Sequence, residues 1–148
     1  PKQGDRVRKA LKDVMKNVTI TKRIDRSKVL QMQRESNVLL MISHEGKKGI
    51  SSSKLYEYIA LRKPILVCPG DNGIINETIQ KMHNGFICNT VEETITLINE
   101  KWHEFNNSGF INIPYREDLR LDYCRYGQTK KLCKILDDHF IRTNSFKL

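Results

Sequence analysis

The sequence predicts an α/β fold in which a parallel sheet is flanked by helices. Short runs that are continuously apolar or β-branched recur along the chain, and helical stretches of about ten residues separate them. Pro64 opens one of these runs, the position at which a strand tolerates a residue with no N–H to donate. Alternation of this kind implies right-handed βαβ crossovers and a doubly wound sheet.

The elements follow in order. From Asp5 to Lys16 the apolar residues Val7, Ala10, Leu11, Val14 and Met15 recur at three- and four-residue steps, which predicts one amphipathic helix. Val18-Thr19-Ile20 is expected to be a short strand. Asp25 or Ser27 can cap a second helix carrying Val29, Leu30 and Met32 to about Glu35. Val38–Ile42 is continuously apolar, as expected of a parallel strand covered on both faces. A polar loop from His44 to Ser51 leads to a helix from about Ser52 to Leu61, then to the strand Pro64–Cys68. A helix over Ile74–Met82, the strand Gly85–Cys88 and a helix capped by Thr90 and running toward Phe105 continue the pattern. Asn106-Asn107-Ser108-Gly109 interrupts it, and an amphipathic helix over Gly127–Ile141 closes the chain.

Composition bounds the function. The 148 residues suit one domain with one hydrophobic core. Apolar and charged fractions of 39% and 29% are those of a globular chain, which excludes disordered and fibrous classes. No apolar run approaches the ~18 residues of a membrane span, and a cytoplasmic setting is expected. The N-terminus has no basic-then-apolar signal pattern and no initiator Met, so Pro1 is expected to be a cut end inside a longer protein. Cys68, Cys88, Cys124 and Cys133 show neither CxxC nor Cys/His zinc spacing, so no metal site is expected and the thiols should be reduced. The net charge of +9 favours an anionic partner, whether a phosphate-bearing ligand, nucleic acid or a membrane surface. Basic residues spread along the chain, with Lys47-Lys48 and Lys130-Lys131 among the adjacent pairs, argue against a dedicated nucleic-acid stripe.

In open α/β sheets ligands sit beyond the carboxyl ends of the strands. The loop after Val38–Ile42 lies there and ends in three serines before a helix. Backbone N–H groups of Ser52, Ser53 and Lys54 are therefore expected to face outward with the helix dipole behind them, an arrangement that attracts phosphate. Lys54 puts a full positive charge where the dipole alone would disfavour it. Glu57, three residues on, is placed to accept hydrogen bonds from a vicinal diol such as a ribose. Spacing alone leaves a second reading open: an ordinary serine cap, and a solvated Lys54–Glu57 surface pair.

The run Gly49-Ile50-Ser51-Ser52-Ser53-Lys54-Leu55-Tyr56-Glu57-Tyr58-Ile59-Ala60-Leu61-Arg62-Lys63-Pro64-Ile65-Leu66 closely resembles the donor-binding segment of GT-B glycosyltransferases. Ser36-Asn37-Val38-Leu39-Leu40 resembles that family's entry to the preceding strand, Asn84-Gly85-Phe86-Ile87 its following strand, and Tyr126 with Thr129 and Leu132 loosely its closing helix. The resemblance spans about Val18 to Ile141, with the specificity in the central run. It implies a Rossmann-like C-terminal domain of the family 4 type that binds a nucleoside diphosphate sugar, UDP- or GDP-linked, and needs no cofactor. Glu57 would bind the ribose hydroxyls and Ser52, Ser53 and Lys54 the diphosphate. Arg23 and Ile24, in the segment Thr21–Ile24, would hold the nucleobase through backbone groups.

Three departures qualify the match. Many retaining members carry a second glutamate eight positions before the ribose-binding one, where this chain has Gly49. Either this branch does without it, or Glu45 or His44 in the same loop contacts the donor sugar. Arg62 replaces a glycine, which should affect the helix C-terminus more than the ligand. No segment matching the family's early diphosphate-binding Arg and Lys precedes Val18.

The whole of 1–148 is accordingly expected to be one donor-binding domain, with 110–148 a helical segment packed on it and the first strands of the sheet lacking. Their loss would expose apolar strand edges and favour self-association. The acceptor, a sugar or a lipid-linked glycan, would be held by an absent N-terminal domain, along with any catalytic base. The isolated domain should be inactive. Basic residues fit peripheral contact with an anionic leaflet at the inner face of the membrane. Two rivals remain at the level of sequence: a nucleotide-sugar epimerase of the same architecture, and a non-catalytic nucleotide- or nucleic-acid-binding α/β module.

Overall fold

The computed structural model describes residues 2–43 and 52–145. Its internal contacts divide the chain into two compact units, Pro1–Met32 and Gln33–Leu148.

In the first unit, helix α1 (Lys2–Ala10) is followed by a 3-10 helix over Lys12–Asn17. The single helix expected from Asp5 to Lys16 is thus two elements. Bonds of the tighter kind, Val14 N–H to Leu11 O at 2.9 Å and Val18 N–H to Met15 O at 3.0 Å, replace the α-helical ladder after Ala10. The expected strand Val18–Ile20 does not form. Val18 gives its N–H to the 3-10 helix, and among the described residues no strand pairs with so short a segment. Helix α2 (Arg26–Glu35) begins in the first unit and ends in the second.

The second unit contains the sheet. Strands β1 (Leu39–Met41), β2 (Ile65–Val67) and β3 (Gly85–Ile87) run parallel in the order β1-β2-β3. Leu39 stands beside Ile65, which stands beside Gly85, and the register continues through Leu40/Leu66/Phe86 and Met41/Val67/Ile87. Helix α3 (Ser53–Leu61) connects β1 to β2, and helix α4 (Ile74–Met82) connects β2 to β3. Helix α5 (Val91–Ser108) follows β3; a 3-10 helix over Glu117–Tyr123 and helix α6 (Arg125–Ser145) complete the chain. This is the expected α/β, Rossmann-like alternation of strands with helices.

Helical spacing decides which faces are buried. Leu55, Tyr58 and Ile59 of α3 and Ile75, Ile79 and Met82 of α4 join Leu39, Met41, Ile65 and Val67 in one core. Tyr115, Leu119 and Tyr123, in and beside the second 3-10 helix, close that layer from outside. On the other side of the sheet, α5 approaches β3 and brings the Lys101 ammonium 4.9 Å from the centre of the Phe86 ring.

Of the three strands among the described residues, β2 alone is buried at every position. Strand β1 was expected to be covered on both faces, yet Leu40 and Ile42 are 54% and 68% exposed. Leu39 and Met41 point into the core, while the alternate residues face the side that no helix over β1 covers among the described residues. No helix among the described residues is long and apolar enough to cross a membrane.

Gly85 sets the spacing of β2 and β3. A Cβ at this position would collide with the carbonyl oxygen of Ile65, its partner in the ladder. Backbone cannot yield as a flexible side chain does, so the strands would have to part. Gly85→Ala is expected to destabilise the chain by about 2–3 kcal/mol, read as a lower urea midpoint with an unchanged slope. A midpoint equal to that of the parent chain would show that the strands separate at no cost.

Candidate functional site

The parallel sheet places the start of each following helix beyond the carboxyl end of its strand, so α3, α4 and α5 open toward the same edge. Each helix must satisfy its first N–H groups, and the three do so differently.

At α4 the partner is a buried carboxylate. Asp71, 4% exposed, accepts from the N–H groups of Gly73 and Asn76 through Oδ1, at 3.0 Å each, and from Ile75 through Oδ2 at 3.1 Å. Burial alone would raise the Asp71 carboxyl, but these backbone donors hold it below its ordinary value. At α5, Thr90 Oγ1 accepts from Glu93 N–H at 3.1 Å, while Glu93 returns a carboxylate oxygen to Asn89 N–H at 2.6 Å. Glu92 and Glu93 both lie in its first turn. The positive ends of these two helices are therefore already matched by protein carboxylates.

Helix α3 has no acidic residue in its first turn and carries Lys54 there. Its N-cap is Ser52, whose backbone is extended at φ −101° and ψ 141° and whose Oγ accepts from Lys54 N–H. At 3.3 Å that bond is long for an N–H···O contact. Ser53 and Lys54 are exposed and Ser52 is half-buried. Glu57 follows one turn later, half-buried, beside the core residue Tyr58. Burial raises the Tyr58 hydroxyl above its ordinary value, and the Glu57 carboxylate raises it further.

Four of the residues singled out in the sequence, Ser52, Ser53, Lys54 and Glu57, thus lie together on the first turns of α3. His44, Glu45 and Gly49 lie outside the described residues. Arg23 and Ile24 belong to the first unit, in the irregular stretch before α2, with Arg23 exposed and Ile24 half-buried. Among the described residues no group of His, Cys, Asp and Glu is arranged to hold a metal ion. A shallow cleft of about 390 Å³ lies elsewhere, along β3, lined by Ile79, His83, Phe86, Ile113 and Pro114 among others.

Comparison with known proteins finds no matching family model, no matching curated protein and no matching solved structure.

Two contributions to this edge were not read from the sequence. Asp71 had a local signal, since Asp-Asn-Gly before an apolar helical run is an N-terminal capping pattern. The anchor of α3 at its far end had none. Arg62 ends the helix in the left-handed region, at φ 54° and ψ 32°, where glycine is favoured and a side chain is strained. Its guanidinium grips Glu117 through a fork, Nε to Oε2 at 2.8 Å and Nη2 to Oε1 at 2.6 Å. Arg120 Nε adds a bond to Glu117 Oε1 at 2.6 Å. Arg62 thereby ties α3 to the 3-10 helix 55 residues later.

The bonds from Arg62 and then Arg120 hold the Glu117 carboxyl at about 2, against an ordinary value of 4.5. A carboxyl depressed by folding contributes stability above its unfolded value and loses that contribution as pH falls through its folded value. The Glu117 contribution should be complete above pH 4.5 and vanish toward pH 2. Glu117→Gln is expected to lower Tm at pH 7 and to flatten the dependence of Tm on pH across that window. Because the pair is exposed, the difference should shrink in high salt. Equal Tm values for the two chains at pH 7 and low salt would contradict the clasp.

Proposed function

We propose that this chain is the nucleotide-sugar-binding part of a glycosyltransferase, and that it takes the donor diphosphate at the start of α3. The observation that carries the reading is the composition of that first turn. Among the described residues, a serine cap, an exposed lysine and a first turn without a carboxylate leave the α3 dipole unmatched at a sheet edge where the neighbouring helix starts are capped by Asp71 and Glu93. An anion in this position would gain from the dipole, from the Lys54 charge and from backbone donors together.

Glu57 supplies the second recognition element. One turn along the same helix, it is spaced for a diol attached to the phosphates, as a ribose is. The resemblance of the Gly49–Leu66 run to GT-B donor segments joins the two elements into one ligand. Within this reading the chain binds a UDP- or GDP-linked sugar, and positive groups at α3 stabilise the diphosphate as negative charge develops on it during sugar transfer. The acceptor and any catalytic base would come from another domain, and transfer needs both halves.

Calorimetric titration of the chain with UDP, GDP and ADP tests this. One of the nucleotides should bind, and Glu57→Ala should weaken it about ten- to a hundredfold, the loss expected for hydrogen bonds to a charged group. Binding of none of the three, or equal affinity in the Glu57→Ala chain, would end the donor-site reading.

A further inference from the structure

Beyond the edge just described, two thiols lie side by side at the carboxyl ends of β2 and β3. The ladder continues one step past the strands: Cys88 N–H bonds to Val67 O at 2.9 Å, following the Val67/Ile87 pair. Cys68 and Cys88 are therefore the next register neighbours. Val67 points into the core on the α3–α4 side, so the alternation of side chains turns Cys68 and Cys88 to the opposite face.

Thr94 of α5 meets them there. Its Oγ1 lies 3.3 Å from Cys68 Sγ. Burial pushes the Cys88 thiol up, a hydrogen bond with Thr94 pulls it down, and neighbouring Cys68 pushes it up again, so Cys88 interacts with both side chains. All four cysteines are free thiols.

We propose that Cys68 and Cys88 form a reversible redox pair that a small peroxide converts to an intramolecular disulfide. Neighbouring parallel strands are about 4.8 Å apart, inside the roughly 4.4–6.8 Å between Cα atoms that a disulfide spans. Cys68 is half-buried and Cys88 only 3% exposed, which makes Cys68 the thiol that peroxide reaches first.

The Cys68 thiolate attacks one peroxide oxygen, the O–O bond breaks, hydroxide leaves and the sulfur becomes a sulfenic acid. The Cys88 thiolate then attacks that sulfur. An S–S bond forms, the S–O bond breaks and a second hydroxide leaves. The two protons released by the thiols convert both hydroxides to water. Two electrons pass from the sulfur pair to the peroxide, so two thiols and one hydrogen peroxide give one disulfide and two waters. Thiol reductants restore the pair by exchange.

Neither Cys124 nor Cys133 belongs to this pair: Cys124 donates to Leu121 O at 3.2 Å, and Cys133 is exposed on α6. The test uses the full chain with Cys124→Ser and Cys133→Ser, treated with hydrogen peroxide while folded, freed of peroxide, then alkylated with iodoacetamide in denaturant so that burial protects neither thiol, and weighed intact. Before treatment both remaining thiols should take up the alkyl group. After treatment the monomer should take up none and be lighter by two hydrogens, with Cys68 and Cys88 peptides joined, and dithiothreitol should reverse this. Adding Cys88→Ser should leave Cys68 to gain oxygen instead. The pair is overturned if both thiols still alkylate after peroxide, or if Cys68 gains oxygen to the same extent with Cys88 present.

Discussion

The parallel ladder through β2 is the constraint on which the rest of the second unit depends. With β1 and β3 both hydrogen-bonded to it in one direction, every connection must cross the sheet and return through a helix. The helices that follow the strands then begin at the same edge, and the chemistry of that edge is the chemistry of their first turns. The ladder also puts Gly85 against the Ile65 carbonyl and Cys88 beside Cys68, so close packing and thiol placement share one cause.

Charge is distributed unevenly along the edge. Asp71 and Glu93 give the α4 and α5 starts their own anions, and the structure is complete there without a ligand. At α3 the chain instead supplies Lys54 and a serine cap whose hydrogen bond is long. A cation in a first turn is unfavourable to the isolated helix, so its stability must come from elsewhere. Burial of Leu55, Tyr58 and Ile59 provides it at the core, and the Arg62–Glu117 fork holds the other end. The local electrostatic cost at this helix start is thus carried by packing and a distant clasp.

Much of this was legible in the sequence, and the rest was absent for definite reasons. β1, β2, β3 and helices α3 to α5 announce themselves because each is an apolar run or a 3.6-residue stripe bounded by a cap, such as Thr90 or Ser52. Local patterning says nothing about what stands opposite, and there the reading failed. Among the described residues, Val18–Ile20 has the β-branched composition of a strand but no neighbour to pair with, and Leu40 and Ile42 sit in a run suited to a buried strand with one face left open. The Arg62–Glu117 clasp joins residues too far apart for any short pattern to reveal. At the candidate site, Ser52, Ser53, Lys54 and Glu57 could be grouped from the sequence because they fall within two helical turns.

An anion that binds this chain should seat at the start of α3 in preference to the other helix starts. The direct measurement is an amide chemical-shift titration of the isotope-labelled chain with inorganic pyrophosphate, which removes any contribution from base or sugar. The largest shifts are predicted at Ser53, Lys54 and Leu55, with Ile74 and Val91 at the carboxylate-capped starts of α4 and α5 nearly unmoved. Shifts of equal size at all three helix starts, or none at α3, would contradict it.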